Sequence, residues 1–371
     1  MALDNTAAQP YWPALDGLRA VAIVSVMVFH ASNVTLPGGG SGVDVFFVLS
    51  GFLITTLLLR EQARTGRIAL GRFYGRRALR LLPALFAVVA VVVIVFHLSP
   101  MGYGSEAAPA RSSLLYYADL RASAHQPMGL LLPMWSLSLE EQFYVLWPTV
   151  LFGLLAAGAS RRQLLIGTGA AFVALTTWHW LAGEAHLANL QQLLYRPDLR
   201  ANGLVLGCFV GVWFASPPQL TARVRGVLQA GAWTGAAVLA LAFWKGLLVA
   251  QPARGTLLVP SIVVATAALI ASQVAAPVGA ITAVLANPVA RWIGRLSYSL
   301  YLVHVPVLGA SEYLLRGSPW ATKMTVYAAG SLAAACLLHW AVERPFLRLK
   351  QRRLEPDGVS ANTAAAAALT G

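Results

Sequence analysis

Residues 19–33 read RAVAIVSVMVFHASN, and the reading of that stretch decides the fold. It sits in an apolar run of about residues 15–34, long enough as a helix to cross a ~30 Å hydrocarbon core. Near one end it carries a single ionisable ring, His30. Ionisable side chains at membrane depth are costly, and they face a cavity or a partner. The stretch therefore says both that the chain enters a bilayer and where its chemistry is to be sought.

Nine further runs of the same kind follow, near residues 43–59, 82–99, 138–158, 163–182, 201–215, 226–244, 256–276, 293–310 and 321–341. The chain is 371 residues long, 58% hydrophobic and only 11% charged, so length alone is a poor guide to soluble domains. The runs lack the alternation of barrel strands, which leaves helices as the way to satisfy the backbone in lipid. The expected fold is all-α, a polytopic membrane protein of about ten transmembrane helices. Asp16 and Arg19 open the first run with no small-residue cleavage signal behind it, so it reads as a retained helix and not a signal peptide. The two cysteines, Cys208 and Cys336, lie inside apolar runs and read as buried packing residues. No Cys/His cluster has metal-ligand spacing, and no metal is expected.

The net charge of +13 has a topological explanation. With the N-terminus inside, nineteen of the 27 Lys and Arg residues fall in inner segments and eight in outer ones. The positive-inside rule then puts both termini in the cytoplasm, as an even helix count requires. Residues 100–137 form the longest outer segment and are expected to fold over a cavity mouth. The tail 356–371 is poor in bulky apolar residues and is expected to be disordered. No internal repeat supports an inverted-repeat transporter. Gly203, Gly207 and Gly211 form a stripe that admits a close helix neighbour.

The polar groups inside the runs carry the functional argument. Arg19 and His30 are eleven residues apart, so they project within about 20° of one another and about 16 Å apart along the axis. Asp16 lies near the same face. His30 is either a hydrogen-bonded packing histidine or a general base in a polar channel. In PMWSLSLEEQFYVLWP, Ser138 and Glu141 have capping-box spacing at the expected start of the fourth span. Glu140 has no such task and shares a face with Ser136 and Tyr144, where it is either solvated or placed to orient an imidazole. In RFYGRRALRLLPAL, Arg72, Arg76, Arg77 and Arg80 crowd the start of the third span. They anchor the helix against anionic lipid or hold a phosphorylated ligand. Asp44 either caps the second span or lines the cavity. Arg196, Asp198 and Arg200 read as mutually paired at the outer mouth. Ser297, Tyr301 and His304 share one face, with His304 about 18 Å above the inner end of its helix, level with His30. Glu343 and Arg344 read as an inner anchor, and PGGGSG at 37–42 as an outer turn.

Six segments occur in order: ALDGLRAVAIVSVMVFHA, GVDVFFVLSGFLIT, RFYGRRALRLLPAL, WSLSLEEQFYVLWP, RPDLRANGLVLG and IGRLSYSLYLVHVPV. Together they resemble the acyltransferase-3 family of bacterial integral-membrane O-acyltransferases, over residues 11–347. The resemblance implies transfer of an acyl group, often acetyl, from acyl-CoA to a hydroxyl of a glycan, a sugar or a glycosylated metabolite, in the cell membrane. It implies that His30 is the first-helix histidine, Glu140 the glutamate of E-x-Q-F-Y, Arg19 the first-helix arginine, and Arg77 and Arg80 the ends of R-x-x-R. On this reading His30 and Glu140 are catalytic, and Arg76, Arg77, Arg80 and Arg19 bind the donor. Asp16, Asp44, Tyr144, Arg200, Tyr301 and His304 line the site. Acyl-CoA is a co-substrate, and no resident cofactor is expected. Some relatives carry a fused extracytoplasmic domain, so a separate acceptor-positioning protein is expected beside this chain, along with membrane lipid. The rival reading is a transporter or flippase of a lipid-linked or sugar substrate, which would move its substrate without consuming acyl-CoA.

Overall fold

Ten long helices follow the ten apolar runs. They are α1 (Pro13–Ala31), α2 (Gly42–Thr65), α3 (Leu70–Leu98), α4 (Met134–Ala156), α5 (Arg161–Glu184), α6 (Asn202–Phe214), α7 (Ala222–Lys245), α8 (Pro252–Ala275), α9 (Ser297–Leu314) and α10 (Trp320–Leu338). The computed structural model describes residues 11–32, 35–98, 107–215, 220–245 and 252–354, and among them there is no strand. The tail 356–371 lies outside the described residues.

Seven helices are long and apolar enough to cross a membrane by length and composition. Three of the expected spans fall short of that standard. α6 is only 13 residues long. The first turns of α4 carry Ser136, Ser138, Glu140, Glu141 and Gln142, and α9 carries Ser297, Ser299, His304 and Ser311. The polar load of α4 and α9 is what the site is made from. Large apolar side chains such as Val91, Ile94, Leu146, Ile166 and Val173 are exposed around the outside. A soluble protein rarely exposes so much apolar surface. Here it faces lipid, and the protein is a multi-pass membrane protein.

Between the helices the packing is close. α6 lies on α2 so tightly that a Cβ on Gly207 would run into the carbonyl of Val48, and one on Gly51 into the carbonyl of Leu204. The glycine stripe is therefore a helix contact, and small residues let two backbones approach. Ile23, Phe47, Leu85, Leu204, Leu300 and Leu302 belong to one buried cluster that joins α1, α2, α3, α6 and α9.

The segment before α4 forms helices Ala107–Leu114 and Ala118–Ser123 and a 3-10 turn at Gly129–Leu131. It is pinned to α4: the Ala118 N–H donates to Ser138 Oγ at 3.1 Å, and Gln142 Nε2 donates to the Tyr116 carbonyl at 2.8 Å. Gln142 also bonds both oxygens of Asp119 at 3.1 Å, and Asp119 is fully buried. This corrects the capping box expected at Ser138. The helix starts a turn earlier, at Met134, so Ser138 lies inside it and back-bonds the Met134 carbonyl.

α10 runs through a π-helical turn, His339–Glu343, into a further helix, Arg344–Leu354. At the turn the Glu343 carboxylate accepts from Ser299 Oγ at 2.5 Å and meets His339 Nδ1 at 2.8 Å. Of the two residues read as an inner anchor, Glu343 is thus held inside the fold, while Arg344 turns back over the ring of Trp340, 4.1 Å from its centroid.

Candidate functional site

α1, α2, α3, α4 and α9 enclose a cavity of about 390 Å³. Its walls hold four guanidinium groups, from Arg19, Arg60, Arg77 and Arg80, against two carboxylates, Asp16 and Glu140. The cationic surplus suits a ligand with several negative oxygens, because guanidinium forks match phosphate and carboxylate geometry.

Each arginine is held differently. Arg19 bonds Asp16 at 3.1 Å, and Asp16 also accepts from the Tyr11 hydroxyl at 2.6 Å. Arg60 lies over Trp12, 5.0 Å from the ring centroid. Arg77 lies on the face of Tyr144 at 3.1 Å and pairs with Glu141 at 3.5 Å. Arg80 is exposed to the cavity and has no hydrogen-bond or ion-pair partner among the described residues. Arg76 is half-buried on α3 and does not line the cavity.

Deeper in, a hydroxyl chain leads to Glu140. The Tyr144 hydroxyl donates to Ser50 Oγ at 2.6 Å, and Ser50 Oγ donates to Glu140 Oε1 at 2.8 Å. The hydroxyls of Tyr301 and Ser136 are 2.6 Å apart, and Tyr301 also reaches the Pro133 carbonyl at 3.0 Å. The cavity lining stops at Tyr301 and does not include His30 or His304.

Beyond Tyr301 the rings continue as a column. The Tyr301 and His304 centroids are 5.5 Å apart, and those of His304 and His30 are 5.0 Å apart. His30 Nδ1 bonds the Val26 carbonyl at 2.9 Å, one turn back on α1. A carbonyl only accepts, so Nδ1 carries the hydrogen and the neutral ring keeps a lone pair on Nε2. That is the form a base needs. Glu140 is not the partner of His30: its carboxylate is on Ser50, and a backbone carbonyl fixes the imidazole.

Three of the six expected lining residues are outside the cavity wall: His304, behind Tyr301, and the pair Asp44 and Arg200. Asp44 and Arg200 form a buried ion pair at 2.8 Å between α2 and the turn before α6, outside the cavity. Arg196, not Arg200, holds Asp198, through two bonds of 3.1 and 2.8 Å. Conversely, Arg60, Ser50 and Tyr298 line the cavity although sequence reasoning passed over them. Arg60 lies just beyond the apolar run 43–59, and nothing in VLSGFL marks Ser50 as facing inward. Among the described residues no three His, Cys, Asp or Glu side chains gather as a metal site would require.

Comparison with known proteins follows the same outline. A family model described as an acyltransferase domain matches residues 12–340. The peptidoglycan O-acetyltransferase OatA of Listeria monocytogenes is 31% identical over 325 residues, which is 82% of this chain and 51% of that protein. The O-acetyltransferase OatA of Staphylococcus aureus is 30% identical over 331 residues, 85% of this chain and 54% of that protein. The putative peptidoglycan O-acetyltransferase YrhL of Bacillus subtilis is 31% identical over 319 residues, 80% of this chain and 49% of that protein. The chain thus spans about half the length of the curated relatives it matches. No solved structure matches it.

Proposed function

This chain belongs to the acyltransferase-3 family, and from that premise we propose that it is a membrane O-acyltransferase carrying an acetyl or similar acyl group from acyl-CoA to a hydroxyl of a glycan. Residues 11–347 are the catalytic unit. All ten long helices cross the bilayer, both termini are cytoplasmic, and the arginine-lined end of the cavity opens inward. Peptidoglycan is the favoured acceptor, since two of the relatives described above carry it in their names. A separate extracytoplasmic protein presents the acceptor.

One observation supports the donor side of this reading: the cationic cavity takes in Ser50 and Glu140 and reaches Tyr301, whose ring lies against His304, the neighbour of His30. Arg80, Arg77, Arg19 and Arg60 hold the nucleotide phosphates, with Arg76 adding charge nearby. The uncharged arm of the donor passes Tyr144, Ser50 and Glu140, and its thioester carbonyl reaches the ring column. His30, bare at Nε2, takes the proton of the acceptor hydroxyl as that oxygen attacks the carbonyl carbon. The carbon–sulfur bond breaks, and the thiolate leaves with a proton. Positioned bases of this kind contribute roughly 10²–10⁴-fold. Glu140 acts through Ser50 and Tyr144 on the shape of the passage. The inner charges Asp16 and Arg19 set the width of its mouth.

The test is acyl-CoA binding to the purified full chain. Arg77→Ala and Arg80→Ala should each weaken it, by about 10–100-fold if each removes one charge-assisted contact of about 1.5–3 kcal/mol. Lysine should restore only part, lacking the planar fork. Unchanged affinity in both alanine variants would return the arginines to membrane anchoring. Substrate movement across vesicles without thioester consumption would favour a transporter.

A further inference from the structure

His304 is fully buried on α9, and nothing in the proposed transfer so far uses it. Its Nδ1 bonds the Tyr301 carbonyl at 2.8 Å, while its Nε2 has no hydrogen-bond partner. A buried acceptor without a partner is a cost that folding alone does not explain. Facing it, 5.0 Å away and inclined at 67°, is the ring of His30. That ring is tied in the same manner, Nδ1 to the Val26 carbonyl at 2.9 Å.

The two ties have a joint consequence. Each carbonyl is an acceptor, so each neutral imidazole holds its hydrogen on Nδ1 and a bare lone pair on Nε2. Two lone pairs cannot bond one another. Add one proton and one ring can donate to the other, as Nε2–H···Nε2. The geometry points to a two-imidazole proton trap: His304 shares, at its Nε2, the proton that His30 removes from the acceptor hydroxyl. This rests on the reading of His30 as the base and adds a second residue to it.

The proton accounting closes within the pair. The acceptor O–H bond breaks, its electron pair forms the new bond to the acyl carbon, and the proton passes to His30 Nε2. His304 Nε2 accepts the resulting N–H. When the carbon–sulfur bond breaks, the thiolate sulfur takes the proton, and both rings return to their starting form. The surroundings supply little else to steady an imidazolium. The Tyr301 hydroxyl is engaged with Ser136 and Pro133, the Tyr327 hydroxyl donates to the Met27 carbonyl at 3.1 Å, and Glu140 is held by Ser50. Phe29 lies 5.3 Å from His30 and has no charge to offer. His304 acts through His30 and is a positioning residue.

The experiment uses the full chain in detergent, with acetyl-CoA as donor and soluble peptidoglycan fragments as acceptor. Free thiol release is followed, and slow hydrolysis of acetyl-CoA by water serves as an acceptor-independent reading of the same base. His304→Leu should lower kcat by about 10–100-fold, the usual effect of removing a partner that orients a reacting group. It should leave the KM for acetyl-CoA unchanged and reduce the solvent deuterium effect on kcat. His304→Gln should regain part of the rate, because its amide oxygen can accept the N–H of protonated His30. Wild-type kcat in His304→Leu would overturn the pair. So would a lower kcat with an unaltered deuterium effect and no advantage of glutamine over leucine. If neither variant yields folded protein, His304 is a packing residue and the proposal falls. His30→Gln, measured alongside, separates the two levels: near-normal turnover there removes the base itself, whereas an inactive His30→Gln beside an unaffected His304→Leu removes only the sharing.

Discussion

Replacing Arg200 by methionine should cost this protein more stability than almost any other single change at a polar residue. Arg200 and Asp44 meet at 2.8 Å, with side-chain exposures of 4% and 1%, so neither end has water to fall back on. Removing one member of such a pair leaves an uncompensated buried charge and typically costs about 3–5 kcal/mol. At 1.4 kcal/mol per decade, that lowers the folded-to-unfolded ratio by roughly two to three and a half orders of magnitude. The damage would also spread. The Arg200 guanidinium lies 5.7 Å from the centroid of Trp135, Trp135 packs edge-on against Phe47 at 6.1 Å, and Phe47 lines the cavity. Asp44→Leu should cost a comparable amount. The double variant Asp44→Leu, Arg200→Met should recover much of the loss, because two charges leave together and an apolar pair of similar bulk is often as stable. The assay is the fraction of monodisperse protein surviving a heating series in detergent, read by fluorescence-detected gel filtration. Single variants that melt like the parent would refute the pairing. So would a double variant whose loss equals the sum of the singles, since partners in contact should be strongly non-additive.

Four further outcomes are expected. His30→Gln should accumulate normally and bind acyl-CoA, yet release thiol at least about 100-fold more slowly, because it hydrogen-bonds without basicity; near-parent turnover would make His30 a packing residue. Arg60→Ala should weaken acyl-CoA binding and free the Trp12 ring, seen as a change in tryptophan emission, and a parent-like affinity would take Arg60 out of the donor site. Gly207→Val should sharply lower the yield of folded protein, since its new Cβ meets the Val48 carbonyl and overpacking of even ordinary cores costs about 1–3 kcal/mol; an undiminished yield would contradict the close α2–α6 contact. Burial lifts the Asp119 carboxyl from 3.8 to about 6, against the downward pull of its bonds to backbone N–H and Gln142. The folded segment therefore holds a proton that the unfolded one has lost, and its docking weakens as pH rises through that window. Amide exchange of residues 107–131, corrected for intrinsic rate, should be slower at pH 5 than at pH 7, and Asp119→Asn should remove the difference; a parent with no such difference would end this reading.

What the sequence disclosed and what it withheld divide along a physical line. Apolar run length is a local property, so each expected span coincides with a helix, and seven of these are long and apolar enough to cross a membrane. The spacing of Arg19 and His30, or of Ser136, Glu140 and Tyr144, is likewise local, and helical rotation places these groups on common faces. Contacts between helices depend on crossing and register, which no single segment encodes. Hence Glu140 meets Ser50 of α2 and not His30 of α1, and Arg200 reaches back to Asp44 and leaves Asp198 to Arg196. Arg60 joins the cavity for the same reason: α2 extends to Thr65, beyond the apolar run, and carries the arginine to Trp12. The capping box misled because Ser-x-x-Glu also fits inside a helix, where Ser138 serves the Ala118 N–H.

The π-helical turn at His339–Glu343 gives the C-terminal part of the fold an odd arithmetic. A π turn holds one residue more than an α turn over nearly the same rise, so it behaves as an insertion absorbed without breaking the rod. In an unbroken α-helix each residue advances the azimuth by about 100°. The helix from Arg344 onward is therefore phased about one residue away from where the register of α10 would have put it. The extra step falls where Glu343 meets Ser299, and the helix that follows it packs on α3. The turn works as a vernier between two halves of one helix, letting the membrane-spanning half keep the contacts that α9 requires while the basic half is set independently.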